Sequence, residues 1–299
     1  MPNIALIWDF DGTLMPERPH DSTTKVVETL KGAGEGGPFW AAIKSLRGDN
    51  PDSSWEHVLA MDAPIWMYSL SRLAGINKVP LNREFFGKFV LPQITLFPKV
   101  LEFLQAFKDL EKKPEFKKLN LEIHHFIVTA GLKDLVEQVF PSGLVKWTFG
   151  CRYTVVIDND HPAEPESVPV FCMDETAKTR SIFEISKGAF CNKEIKVNTK
   201  VDEANLWAPF NNIVYIGDGG TDVPSLSLVR SKGGLGVAVF DPEKPKEKIQ
   251  EKLSGMRLDK RADLITPADF SIGGELFTYL QTRCIQIRQR YEAAERVAG

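Results

Sequence analysis

Three short apolar runs, at residues 4–8 (IALIW), 123–128 (IHHFIV) and 213–216 (IVYI), each stop at a turn that carries glycine or carboxylate. Further runs follow at 235–240 and, shorter, at 264–265, with helix-patterned stretches between them. Strand-length runs alternating with helical segments specify an α/β fold built on a mainly parallel sheet. Ligands of such sheets bind outside the carboxyl ends of the strands, so the three turns are expected to meet at one site. The first turn poses the sharpest problem. Its apolar run ends in Asp9 and Asp11, and a buried carboxylate without a partner is strongly destabilising.

Bulk properties narrow the setting. A chain of 299 residues exceeds what one compact core usually holds, which predicts one large domain and a smaller one. A net charge of −3 gives no electrostatic footprint for nucleic acid or an anionic membrane surface. No run of about 18 apolar residues marks a membrane span. The first apolar run has no basic lead and meets acids at once, unlike a signal peptide. Cys151, Cys172, Cys191 and Cys284 lie far apart without a Cys-x-x-Cys pair and read as free thiols. A cytoplasmic protein is the expectation.

Between residues 15 and 92 the strand signals give way to glycines (Gly32, Gly34, Gly36, Gly37) and then to helix-patterned stretches at 39–46, 54–68 and 83–90. This predicts a helical insertion, with the chain re-entering the core near Leu96-Phe97-Pro98 and a helix at 100–110. Phe39, Trp40, Trp55, Trp66 and Tyr68 are expected to fill the insertion's interior rather than touch a ligand; Arg18, Arg47 and Arg72 are expected to be exposed. Residues 149–170 read as irregular, with a strand-like piece at 153–157 and a Pro/Glu-rich loop at 162–169. Residues 191–209 form an excursion longer than a helix–loop–strand connection requires. His124 and His125 sit inside a strand, where at most one is expected to face the core. From Leu276 onward the chain reads as a charged helix with a solvated face.

Four pieces carry chemistry. Asp9 and Asp11 sit two apart at a strand end and repel unless a cation or proton lies between them; a hard cation such as Mg²⁺ suits such oxygens, whereas the plain alternative is a polar turn. Ile216-Gly217-Asp218-Gly219-Gly220-Thr221-Asp222 places two more carboxylates after a second strand. Pro224 suits the first turn of a helix, so Asp222 alone is explained as its N-cap. Val128-Thr129-Ala130-Gly131 ends a third strand and is expected to open a helix over 132–140, making either an anion site or an ordinary Thr cap. Lys178 and Lys187 lie on one predicted helix ending at Gly188, on opposite faces, so only one of them can face a site.

Asp-x-Asp-Gly-Thr, a strand-end Thr, a Lys and Gly-Asp-x-x-x-Asp, in this order, resemble the signature of the haloacid dehalogenase-like (HAD) hydrolase superfamily. The stretch Ala177-Lys178-Thr179 to Lys187-Gly188 is similar to its phosphoserine-phosphatase-like branch. The resemblance implies a Rossmann-like parallel sheet sandwiched by helices, formed by residues 1–14 and 93–299, with an inserted α-helical cap at 15–92. It implies a Mg²⁺-dependent phosphatase in which Asp9 is the nucleophile and Asp11 the general acid and base. Mg²⁺ would be held by Asp9, Asp218 and the Asp11 carbonyl, with Asp222 acting through water or by orienting Lys178. Phosphate would be bound around Asp11, Gly12, Thr129, Ala130 and Lys178. A dehalogenase needs neither Asp11 nor the metal cluster, which favours phosphate ester hydrolysis. The implied substrate is a small phosphorylated metabolite, with no nucleic acid or membrane partner. A phosphomutase on the same core and a catalytically silent phosphate-binding protein are the alternatives.

Overall fold

The structure, a computed structural model, describes residues 3–17, 19–46, 62–156, 165–258 and 261–298. Its centre is β1 (Asn3–Trp8), all six residues of which are buried. The other strands are β2 (Glu122–Leu132), β3 (Val145–Val156), β4 (Glu166–Phe171), β5 (Ile213–Gly217), β6 (Leu235–Phe240) and β7 (Leu264–Pro267). Among the described residues they form one seven-stranded sheet in the order β4-β3-β2-β1-β5-β6-β7. Every pairing is parallel except the β3–β4 hairpin.

A parallel strand with both faces covered reads as continuous apolar sequence, and β1 does so because its alternate side chains serve different layers. Ile4, Leu6 and Trp8 join Phe103, Phe107, Phe270 and Phe277 in one apolar cluster; Ala5 and Ile7 join the other. Each such buried side chain contributes about 1.5–3 kcal/mol. In chain order the helices are α1 (Ser22–Lys31), α2 (Gly36–Leu46), α3 (Asp62–Ile76), α4 (Arg83–Phe85), α5 (Val100–Leu110), α6 (Pro114–Lys117), α7 (Lys133–Val136), α8 (Glu175–Lys187), α9 (Val223–Ser231), α10 (Lys246–Leu258) and α11 (Glu275–Ala298). No helix among the described residues is long and apolar enough to cross a membrane.

The described part of 15–92 is helical, as expected. Val26, Val27, Phe39, Ile43, Trp66, Met67 and Leu70 share one cluster with Ala5 and Ile7 of the sheet. Tyr68 is exposed instead of interior. Arg72 is exposed, while Trp55, Arg18 and Arg47 lie outside the described residues.

Four expectations are corrected. The described parts of 149–170 are not irregular: β3 reaches Val156 and pairs antiparallel with β4, which takes in residues 166–169 of the expected loop, while residues 157–164 lie outside the described residues. The hairpin is held by α3 and its neighbours, since the Tyr153 hydroxyl donates to Met67 O (2.6 Å) and Leu81 N donates to Ser167 Oγ (2.8 Å). His124 and His125 are both buried, because helices or loops cover both faces of β2. The His125 ring lies between the Trp8 indole N–H (3.1 Å) and Leu104 O (2.9 Å), and burial pushes its pKa down to about 3. Helix α11 is not merely solvated, for Leu276, Phe277, Leu280, Cys284 and Ile287 are buried against the sheet. Finally, β2 continues to Leu132 where a helix was expected, leaving only the four-residue α7.

The 191–209 excursion has a seat. Lys187, in the last turn of α8, donates to Val197 O (2.6 Å) and Thr199 O (2.8 Å). Trp207 packs against Phe126, Phe190 and His124. At Gly188, which closes α8 with φ 79°, an added Cβ would lie 3.1 Å from the Trp207 side chain.

Candidate active site

Leaving β4 aside, the parallel strands run 3-2-1-4-5-6 in order of occurrence, so the order reverses between β1 and β5. The ends of these two strands therefore form the crevice in which open α/β sheets bind ligands. Asp9 follows β1 directly, and its N–H donates to Ile216 O (2.9 Å), extending the ladder by one residue. The chain then turns tightly, with Phe10 O accepting from the N–H groups of Thr13, Leu14 and Met15. Gly12 permits this turn: its φ is 78°, and a Cβ there would lie 2.3 Å from Asp218 Oδ2. The turn after β1 and the turn after β5 thus touch at a point where only hydrogen fits.

Lys178, in the first turn of α8, is 1% exposed. Its ammonium donates to Asp9 Oδ1 (3.0 Å) and Asp222 Oδ1 (2.7 Å). Asp222 also accepts from the Tyr215 hydroxyl (2.7 Å) and, through Oδ2, from Asp218 N (3.2 Å). Its side chain makes no capping bond to α9, so the N-cap explanation does not hold for it. Lys187 points elsewhere, as the opposite-face expectation required.

Burial would lower the Lys178 pKa, but the charges of Asp222 and Asp9 outweigh it and hold the ammonium above its usual range. Burial lifts Asp9 well above the carboxylate range, and Asp222 adds to that lift while Lys178 opposes it. Burial and the negative charge of Asp222 likewise keep Tyr215 protonated.

Asp11 has different company. Ser22, the first residue of α1, gives its N–H to Asp11 Oδ1 and its hydroxyl to Oδ2, each at 2.7 Å. Burial raises the Asp11 pKa to about 7; the neighbouring Asp21 charge adds to this and the Ser22 bonds oppose it. Thr129 lies in the irregular part of β2, where the register with β3 breaks between Val128 and Leu132. Its Oγ1 accepts from Gly131 N (2.9 Å). Thr129 caps no helix; the bulged strand turns it to the cleft instead.

No family model matches the chain. Its sequence is 24% identical over 238 residues to an uncharacterized protein of Borreliella burgdorferi, across 76% of this chain and 79% of that one. Among solved structures it is similar to a phospho-aspartyl intermediate analogue of phosphoserine phosphatase, with 14% identity and a TM-score of 0.46 over 89% of this chain and 94% of that one. It is also similar to an L-2-haloacid dehalogenase, with 12% identity and a TM-score of 0.44 over 94% of this chain and 100% of that one. Asp9, Thr129 and Asp218 lie at or near the carboxyl ends of three adjacent strands. The fold is a doubly wound, Rossmann-type α/β sheet.

The core opens at these strand ends into a cleft of about 290 Å³. Asp9, Asp11, Thr129, Ala130, Lys178 and Asp218 all line it. Asp9, Asp218 and Asp222 each offer a carboxylate oxygen within 4.8 Å of the others, a hard-oxygen donor set of the kind that suits Mg²⁺. Both Asp222 oxygens already accept bonds, from Lys178, Tyr215 and Asp218 N.

Sequence reasoning missed three contributions to this site. Trp40 and Trp66, expected only as interior, also line the cleft. Tyr215 hides as one apolar residue of a strand. Ser22 left a faint trace: Asp21-Ser22-Thr23-Thr24 is a run of capping residues ahead of a helical pattern.

Proposed function

We propose that this chain is a Mg²⁺-dependent phosphatase that hydrolyses a small phosphate monoester through an aspartyl-phosphate on Asp9. The observation that carries the reading is the buried Asp9–Lys178–Asp222 chain at the switch point, with Asp11 in the same cleft gripped by Ser22. The two carboxyl groups have different partners, the Lys178 ammonium on Asp9 and the Ser22 N–H and hydroxyl on Asp11, and this divides nucleophile from proton carrier.

Asp9 attacks phosphorus, the bond from phosphorus to the ester oxygen breaks, and Asp11 gives its proton to the departing oxygen. Asp11, now a carboxylate, takes a proton from water as that water attacks phosphorus. The Asp9–phosphorus bond then breaks and inorganic phosphate leaves. Lys178 balances the charge of Asp9 and the phosphoryl oxygens, and Asp222, braced by Tyr215, fixes where that ammonium points. Thr129, Ala130 and Gly12 surround the phosphoryl group. A divalent ion held by Asp9, Asp218 and the Asp11 carbonyl would neutralise charge on the transferring group. Residues 15–92 serve as a cap on a core of 1–14 and 93–299, excluding water and limiting substrate size.

The test is a panel of phosphate esters assayed with Mg²⁺ and with EDTA, for the wild type and Asp9→Asn. Turnover by the wild type in Mg²⁺ alone, and none by the variant, is expected. Mg²⁺-dependent turnover by Asp9→Asn, or none by the wild type, overturns the reading. Label that returns in an isomeric ester instead of inorganic phosphate identifies a phosphomutase.

A further inference from the structure

The rest of the cleft comes largely from the segment between β1 and α5: Glu17, Asp21, Thr23, Trp40 and Trp66. The indole rings of Trp40 and Trp66 lie 6.4 Å apart, centroid to centroid, at 64°, forming two sides of a corner. One residue ties this corner to a carboxylate. Thr24, 2% exposed, accepts from Trp40 Nε1 (2.8 Å) and donates through the same hydroxyl to Asp21 Oδ2 (2.7 Å). The Asp21 Oδ1 accepts from Thr24 N as the N-cap of α1. Ring and charge are therefore held as one unit.

The charges around the corner are uneven. Glu17 has an ammonium partner in Lys244, and Lys178 is committed to Asp9 and Asp222. No Lys or Arg pairs with Asp21 among the described residues. Lys178 is the one cation among the described residues of the lining. Beyond the phosphoryl end, a substrate thus meets two indole side chains and a carboxylate that has no Lys or Arg partner among the described residues. Aromatic faces and a carboxylate favour a positively charged nitrogen and repel an anionic group. At about 290 Å³ the cleft is near the small end of ligand pockets, which begin at about 300 Å³.

We infer, resting on the phosphatase reading above, that the site takes phosphate monoesters of small alcohols bearing a positively charged nitrogen, and selects against a leaving group that also carries a carboxylate. The corner of Trp40, Trp66 and Asp21 receives the cation while Asp9 and Lys178 receive the phosphoryl group.

Two matched pairs of esters test this through kcat/KM in Mg²⁺. Phosphocholine and 3,3-dimethylbutyl phosphate have the same shape and differ in the positive charge. Phosphoethanolamine and phosphoserine differ in the carboxylate. The cationic ester is expected to lead in the first pair by about ten-fold or more, and phosphoethanolamine to lead phosphoserine by a similar factor. Asp21→Asn keeps a good N-cap and removes the charge, so the first ratio is expected to shrink to about two-fold. Equal turnover within the pairs, preference for phosphoserine, or an unchanged ratio in Asp21→Asn overturns the inference while the phosphatase reading stands. No turnover of these four esters or of para-nitrophenyl phosphate defeats the phosphatase reading itself, and this inference with it.

Discussion

Ser22 holds Asp11 at both carboxylate oxygens, with its N–H and its hydroxyl at 2.7 Å each. The residue that positions Asp11 thus sits on α1, outside the sheet, while Asp11 sits on the turn after β1. Both bonds favour the ionised carboxylate and partly offset the burial that lifts its pKa to about 7.

Opposite pH shifts should follow from changing the two neighbours of Asp11. The first step needs protonated Asp11, so kcat/KM is expected to fall as pH rises through about 7. Ser22→Ala removes a bond to the carboxylate and moves this limb to higher pH; Asp21→Asn removes a repelling charge and moves it lower. Paired pH–rate profiles check both directions, and limbs moving the same way would contradict the assignment.

Asp11 also makes stability depend on pH. Its folded-state pKa lies above the unfolded value of 3.8, so its stabilising contribution is complete below that value. It is lost as pH rises toward about 7. Denaturant unfolding of the metal-free protein between pH 4 and 7.5 should show this decline, and Asp11→Asn should reduce it, leaving the part that the raised Asp9 contributes.

Removing Lys178 leaves Asp9 and Asp222 facing each other in a buried site. Lys178→Met is expected to lose activity and about 3–5 kcal/mol of stability. Adding Asp222→Asn should recover part of the stability and none of the activity. Thermal melts and a phosphate-release assay separate the two effects.

Asp9→Asn should abolish turnover yet raise the melting temperature of the metal-free protein, because it removes one of three mutually repelling acids. A gain of about 1 kcal/mol corresponds to roughly 2–4 °C. Mg²⁺ should stabilise the wild type more than this variant, as binding to the folded state alone requires.

Gly12→Ala tests the contact between the two turns. Its Cβ would meet Asp218 Oδ2 at 2.3 Å, in a backbone conformation that suits glycine. Displacement of Asp218 is expected to weaken Mg²⁺ affinity by about ten-fold or more, roughly the effect of disturbing a ligand's support. Isothermal calorimetry with Mg²⁺ reads this directly.

The site was legible in the sequence wherever chemistry is written as a local pattern. Asp9, Asp11, Asp218 and Asp222 follow buried runs, and those runs became β1 and β5 on either side of the switch point. Lys178 was legible because nine residues of helix set it on the face opposite Lys187 and because it sits at the helix end that the preceding loop delivers. What escaped depends on contacts distant in sequence. Tyr215 looks like any strand residue until Asp222 folds back onto its hydroxyl. The 162–169 stretch reads as a loop from its prolines, but for residues 166–169 β3 supplies a partner edge that overrides this local preference. His124 and His125 misled for the same reason, since alternation predicts one solvent face only when one face of a sheet is bare.

Helix α8 is pinned at both poles, by Lys178 on Asp9 and Asp222 and by Lys187 on the carbonyls of Val197 and Thr199. Nine residues of helix separate the two lysines, about 13 Å along the axis. Such a strut passes on rotation and sliding far better than it bends. Lesions around the 191–209 excursion should therefore be felt as misalignment of an ammonium group that none of them touches. That far pole works as the anchorage of Lys178.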